Sequence, residues 1–212
     1  MKVAVTGSGE SILGLGLGRE IDDCDAVVRV NWQPLYGFEC DMGSVNHYWV
    51  TDLRPANHAK PDGYDTIRKV WVFPPFDFSP ETAQGRKQIC PDKELAPVTQ
   101  REYDKLYNMI PGRKWPSNGL GAVALALWRL QPDEMLLLGF DCVLRPDRET
   151  YRYYWGEEFS GWRSNNHDYH AERDICLALL NMQGFQTTWS YAGNRRIRRC
   201  RLWYLATTAG VS

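Results

Sequence analysis

A chain of 212 residues with 25 Lys+Arg against 26 Asp+Glu is close to neutral, which excludes a global pull toward nucleic acid or anionic lipid. The length suits a single domain, residues 1–212, that buries enough surface to fold without staples. The opening MKVAVTGSGE lacks a signal-peptide pattern, no apolar run reaches membrane-spanning length, and the six cysteines form no CxxC pair, so a reduced, soluble, cytoplasmic protein is expected.

In chain order, Val3 to Val5 predicts a short buried strand, followed by a glycine-rich turn and a short helix toward Glu20 and Ile21. Ala26–Val30, His47–Thr51 and Lys69–Phe73 predict three more strands, the last closed by Pro74-Pro75. Asp77 to Pro97 is polar and broken by proline, and predicts a loop. Arg101–Ile110 predicts a helix stopped by Pro111-Gly112, and Leu120–Leu130 a buried helix opened by Pro116-Ser117-Asn118-Gly119. Met135–Phe140 predicts an apolar strand, Ala171–Met182 an amphipathic helix ended near Gly184, and Thr187–Tyr191 a last strand. Strands alternating with helices imply an α/β fold with a mainly parallel sheet and its ligand at the strands' carboxyl ends.

Two stretches carry chemistry. TGSGESILGLGLG, Thr6 to Gly18, follows a strand, where glycines let backbone N–H groups approach a phosphate. The dinucleotide fingerprint fails, because Ile12 stands where its third glycine belongs and the second strand ends in Asn31 rather than an acid. Tight turns and close packing explain the glycines equally well. HDYHAE, His167 to Glu172, opens a helix, where a positive helix end keeps an imidazole neutral and favours an acid. His167 is thus a candidate base or a helix-start residue; Asp168 is a candidate cap and His170 a surface position. No His/Cys/carboxylate set with ligand spacing points to a metal.

Longer patterns separate these alternatives. Val5 to Asp22 with its spaced glycines and Glu20-Ile21-Asp22, Arg29-Val30-Asn31-Trp32-Gln33-Pro34, and Gly37-Phe38-Glu39-Cys40-Asp41-Met42-Gly43-Ser44 together resemble the large motif of the eukaryotic-type sialyltransferases, glycosyltransferase family 29. Pro116-Ser117-Asn118-Gly119, then Asp133-Glu134 and Gly139-Phe140, resemble that family's small motif, with two extra residues before Asp133. His167 and Glu172 fit its His-x-x-x-x-Glu motif, and Arg152-Tyr153-Tyr154-Trp155 falls at its His/Tyr-rich third motif. The chain is identified as resembling a short, soluble, bacterial- or phage-like member.

The resemblance implies a GT-A-like variant Rossmann fold and an inverting transfer from a CMP-activated sugar acid to a glycan hydroxyl, with no metal and no cofactor beyond that nucleotide-sugar donor. It assigns His167 as base and Glu172 as its support. It places Gly7, Ser8, Gly9, Asn31, Ser117, Asn118, Gly119, Arg152 and Tyr153 around the donor. Ser8 replaces an asparagine usual in the family, and the third-motif histidine is absent, with Arg152 or Tyr153 near its place. The bridging cysteines of secretory-pathway members correspond to Val3 and Leu130. Kdo remains an alternative donor sugar. Two other functions stay open: a binding module without turnover, and a polymer or nucleic-acid modifier suggested by the arginines of 195–201, which also suit a basic terminal strand or tail.

Overall fold

The computed structural model describes residues 1–53, 60–73, 90–141, 151–156, 158–159, 167–183, 185–187 and 198–202. Strands β1 (Lys2–Thr6), β2 (Ala26–Val30), β3 (Tyr48–Thr51), β4 (Lys69–Val72), β5 (Glu94–Pro97), β6 (Glu134–Leu138), β9 (Phe185–Thr187) and β10 (Arg198–Leu202) form one sheet in the order β5-β4-β3-β2-β1-β6-β10-β9. Every pairing in it is parallel. A two-stranded antiparallel ribbon, β7 (Tyr151–Arg152) and β8 (Glu158–Phe159), stands apart from it. The fold class expected from the sequence is the one observed.

Alternation explains why the central strands β1, β2 and β6 are largely apolar. Val3, Val5, Val28, Met135 and Leu137 enter the core on one face, and Ala4, Val27, Leu136 and Leu138 enter the core on the other. A strand covered on both sides has no solvent face to mark with polar residues. One face carries the helices α3 (Gln100–Tyr107), α4 (Asn118–Leu125) and α5 (Tyr169–Met182). The other carries the short α1 (Gly18–Asp22) and α2 (Glu39–Met42), through Ile21 and Met42. In α4, Gly121 lies so close to the sheet that a Cβ would meet the Phe73 ring at 2.7 Å.

Two expectations change. Residues 94–97, expected within a loop, form the edge strand β5 on β4; a proline is tolerated there because an edge strand needs no donor on its outer side. Arg129 reaches the Ala96 and Pro97 carbonyls at 3.3 and 3.0 Å and pairs with Glu102 at 2.7 Å, tying β5 to α3. The helix expected over 120–130 is α-helical only to Leu125; Ala126–Leu130 is a π-helix, ended by Gln131 at a φ of 50°. Residues 198–201, expected in a basic terminal strand or tail, lie in strand β10 between β6 and β9. Residues 195–197, Gly184, most of the expected 187–191 strand and the greater part of the 77–97 loop fall outside the described residues.

Topology fixes where a ligand crevice opens. From β1 the chain steps outward through β2, β3, β4 and β5, then returns to place β6 on β1's other side. Such a reversal leaves a gap at the carboxyl ends of the two central strands, since the connections leave in opposite directions.

Candidate active site

The β1 loop is bound from within. Gly7 N–H donates to Leu138 O at 2.7 Å and Gly9 N–H to Gly139 O at 2.9 Å, so the strand ladder continues past the end of β1. Backbones approach so closely that a Cβ on Gly7 would meet Gly139 O at 2.3 Å, and Gly139 takes a φ of +68°. Asp141, buried just after β6, accepts from Ser11 N–H at 3.1 Å and from the Ser11 hydroxyl. Farther along, Gly14 and Gly16 turn their N–H groups onto the Asp41 carboxylate at 2.9 and 2.7 Å. This fills an anion nest of the kind a phosphate would use. Internal hydrogen bonds therefore take up the N–H groups of Gly7, Gly9, Gly14 and Gly16. The half-buried Ser8 stands between the two glycines, its carbonyl accepting from Tyr154 N–H at 3.0 Å.

Asn31 ends β2 with a left-handed φ of 58°, a conformation asparagine tolerates better than most residues. Its backbone is clamped: its carbonyl accepts from Trp49 Nε1 at 2.7 Å, and its N–H donates to Val50 O at 2.8 Å. Its side-chain oxygen accepts from Asn118 Nδ2 at 2.6 Å, so two donor-site candidates 87 positions apart meet. Beneath them lies Arg29, 1% exposed, which donates to Thr6 Oγ1, Val45 O and Met42 O at 3.3, 2.9 and 2.7 Å. Burial pulls its guanidinium down to about 10. Gln33 completes this floor, donating to Thr6 O and Val30 O at 2.8 and 2.9 Å.

Ser117 caps α4, its Oγ accepting from Leu120 N–H at 3.2 Å. The same residue is held by Glu172 of α5, whose two carboxylate oxygens accept from Ser117 N–H at 2.8 Å and Ser117 Oγ at 2.5 Å. Glu172 is 0% exposed, and burial pushes its carboxyl up to about 7 against the opposing Ser117 hydrogen bonds. Asp168 caps α5 through Ala171 N–H at 3.1 Å, and His170 is exposed. A Cβ added to Gly119 would meet the Phe140 ring at 3.4 Å, so the α4 start sits against the end of β6.

His167 sits where these parts join. Its Nδ1 lies 2.7 Å from Trp115 O and 3.7 Å from a Glu172 oxygen. A carbonyl only accepts, so the contact selects the tautomer with the proton on Nδ1 and leaves Nε2 as the basic nitrogen. Tyr153 pairs with Gly9 through an isolated bridge and stacks on Trp155 at 4.3 Å, with Trp32 edge-on to Trp155 at 5.5 Å. Arg152 is exposed on β7.

Gly7, Ser8, Gly9, Asn31, Ser117, Asn118, Gly119, Tyr153, His167 and Glu172 thus lie at the carboxyl ends of β1, β2 and β6 or on the segments they touch. Trp115 and Asp141 stand next to the matched motifs and Arg29 inside one, and none of the three carries a signal of its own. One Asp-x-Asp triplet exists, Asp23-Cys24-Asp25, but it lies at the amino end of β2, where Asp25 accepts from Lys2 N–H at 2.7 Å. Among the described residues no three His, Cys, Asp or Glu side chains gather as a metal site, and no helix is long and apolar enough to cross a membrane.

Residues 1–60 match the family model described as glycosyltransferase family 29 (sialyltransferase). A human α-N-acetyl-neuraminyl-2,3-β-galactosyl-1,3-N-acetyl-galactosaminide α-2,6-sialyltransferase is 35% identical over 116 residues, covering 51% of this chain and 34% of the relative. A mouse CMP-N-acetylneuraminate-β-galactosamide-α-2,3-sialyltransferase 2 is 26% identical over 215 residues, covering 91% of this chain and 57% of the relative. The chain therefore spans between about a third and somewhat over half of these curated relatives. The crystal structure of a mammalian sialyltransferase shares the fold at a TM-score of 0.65 and 18% identity, covering 96% of this chain and 68% of that one. A mammalian sialyltransferase in complex with Gal-β-1-3GalNAc-ortho-nitrophenol matches at a TM-score of 0.64.

Proposed function

We propose that the chain is a member of glycosyltransferase family 29, the sialyltransferases, and acts as an inverting, metal-independent transferase. It moves a sialic-acid-type sugar from a CMP-activated donor to a glycan hydroxyl, in the cytoplasm and without a further cofactor. The observation that supports this reading best is the pose of His167, whose Nδ1 is fixed on Trp115 O at 2.7 Å beside a buried Glu172. An acceptor hydroxyl is a poor nucleophile, and a positioned neutral imidazole supplies the missing base.

The acceptor hydroxyl passes its proton to Nε2 of His167 while its oxygen bonds to the anomeric carbon of the donor. The bond from that carbon to the phosphate oxygen breaks, and its electron pair leaves with CMP. Attack from the face opposite the phosphate inverts the centre. Ser8, Asn31 and Asn118 hold the nucleotide, while the start of α4 at Ser117 to Gly119 favours an anionic group. Tyr153 stands next to Gly9 for the departing phosphate, and Arg152 supplies positive charge at the rim.

The test is a screen of CMP-sialic acid, CMP-Kdo and uridine-linked sugars against a glycan mixture, with mass detection of the product. We expect transfer from CMP-sialic acid and a loss of about 10²- to 10⁴-fold in His167→Ala, with CMP binding retained. Wild-type turnover in that variant removes the base assignment. CMP binding with no transfer from any donor favours the alternative motivated by Ser8 and Tyr153, a nucleotide- or glycan-binding relative without turnover. Preference for CMP-Kdo corrects the sugar alone, and transfer to an oligonucleotide the acceptor class.

A further inference from the structure

We infer that Arg29 is a fixed cation beneath the donor phosphate: its charge, held by neutral partners, selects a phosphorylated nucleotide and eases the phosphate's departure. This rests on the reading of a CMP-activated donor. Two arginines of the same chain make the contrast. Arg129 is half-buried and pairs with Glu102 through two nitrogens, at 2.9 and 2.7 Å. Arg29 lies far deeper, 1% exposed, yet its three bonds run to one hydroxyl and two carbonyls. Among the described residues no carboxylate hydrogen-bonds to it. The acid whose charge acts on it, Asp22, is engaged by Ser44 N–H, Ser44 Oγ and Val45 N–H at 2.9 to 3.0 Å. Its other titratable neighbour, Tyr154, stays neutral because burial pushes the phenol up. A buried charge without a counter-ion is costly, and a neutral donor would tie the same carbonyls without that cost. Even lowered to about 10, the Arg29 guanidinium is charged at neutral pH. The negative charge it lacks is what an anionic ligand brings.

Register places that charge. Arg29 pairs with Thr6 across β1 and β2, and its Nη1 lies 3.3 Å from Thr6 Oγ1. Gly7 and Ser8 continue from Thr6, and Asn31 stands two positions past Arg29, at the carboxyl ends where the crevice opens. Two residues of strand advance about 7 Å, so a phosphate held at Ser8 or Asn31 rests on the order of 10 Å from the guanidinium. Thr6 and Gln33, bonded to each other at 3.1 Å, are 0% and 1% exposed, so water screens the charge little on that side. The N–H groups of Gly7, Gly9, Gly14 and Gly16 are engaged internally and leave the phosphate's charge to other groups. The reaction gives the field its use. A phosphodiester carries one negative charge. When the bond to the anomeric carbon breaks, the electron pair stays on the phosphate oxygen, and the released monoester approaches two charges at neutral pH. A cation already in place favours that second charge without reorganising.

The experiment titrates the full chain with CMP and with cytidine by calorimetry, in wild type, Arg29→Lys, Arg29→Gln and Gln33→Glu. Gln33→Glu keeps the guanidinium and its three bonds but sets a carboxylate one hydroxyl away from it. We expect Arg29→Gln and Gln33→Glu to weaken CMP binding about tenfold beyond any effect on cytidine, and Arg29→Lys to keep most of the preference. Phosphorus NMR of CMP bound to the wild type should place the second ionisation of the phosphate about one pH unit or more below its free value of about 6. That titration needs no variant, so it decides the matter where a substitution prevents folding. A bound value at or above the free one overturns the inference, and so do losses that fall equally on cytidine and CMP. Wild-type protein that binds no CMP removes the donor reading and this inference with it. CMP binding without discrimination by charge removes this inference alone.

Discussion

Two segments border the same crevice and come to opposite ends. The loop after β1 is rich in glycine and looks built to expose backbone N–H groups, yet Gly7, Gly9, Gly14 and Gly16 all spend theirs on internal carbonyls or on Asp41. The short turn from Trp115 to Gly119 has one glycine, and it gathers a histidine, a buried carboxylate and a helix start. Glycine in the first segment serves approach: it lets two parallel strands and a helix touch at distances a Cβ forbids. Polarity in the second is costly to bury and is retained where chemistry requires it. Density of glycine marks the frame of this crevice, and a few polar contacts between distant segments mark its working edge.

Gly139→Ala attacks the frame. Its Cβ would stand 2.7 Å from Gly7 O at a φ of +68°, so the seam between β1 and β6 must part. We expect a loss of about 3 kcal/mol or more by chemical denaturation. Near-wild-type stability would mean that this approach is not what closes the sheet.

At the working edge, Glu172→Gln tests the buried carboxyl. The folded state holds this group up to about 7 against an ordinary 4.5, so between these values the native state keeps a proton that the unfolded chain releases. Its contribution to stability is present below 4.5 and is lost as pH rises to 7, by about 3 kcal/mol in all. Glu172→Gln should flatten that slope in denaturation midpoints taken across the range, and an unchanged slope would assign it to another group. Smallest is Asp41→Ala, which leaves Gly14 and Gly16 without their acceptor and should cost about 1 kcal/mol while leaving CMP affinity unaltered. If CMP affinity falls with it, the glycine run belongs to the nucleotide site after all.

Much of the frame is legible in the sequence because burial on both faces writes a strand as an apolar run, as in Ala26–Val28 and Met135–Leu138. Edge strand β5 was not legible, since Glu94 and Pro97 at its ends are exposed and its partners Arg129 and Lys69 are distant in sequence. The π-helix at 126–130 has no composition to distinguish it from the α-helix it continues. At the site, an acid near a helix start reads as a solvated dipole partner, whereas Glu172 is fully buried and faces Ser117. Only a tertiary contact across 55 positions decides that, and no local pattern reports it.

The seam between β1 and β6 also governs the order in which the molecule can be made. Residues 3–6 pair on one flank with residues 26–29, and residues 2–6 on the other with residues 134–138. At about 5–20 residues per second of synthesis, the far edge of β1 waits on the order of ten seconds for its neighbour. Throughout that interval the central strand of the sheet is an edge strand, apolar on both faces and open to pairing with another nascent chain. Residues 1–60, where the family resemblance is densest, hold β1, β2 and β3 but no part of β6. Made alone, that stretch would carry the signature of the family and only one wall of its crevice.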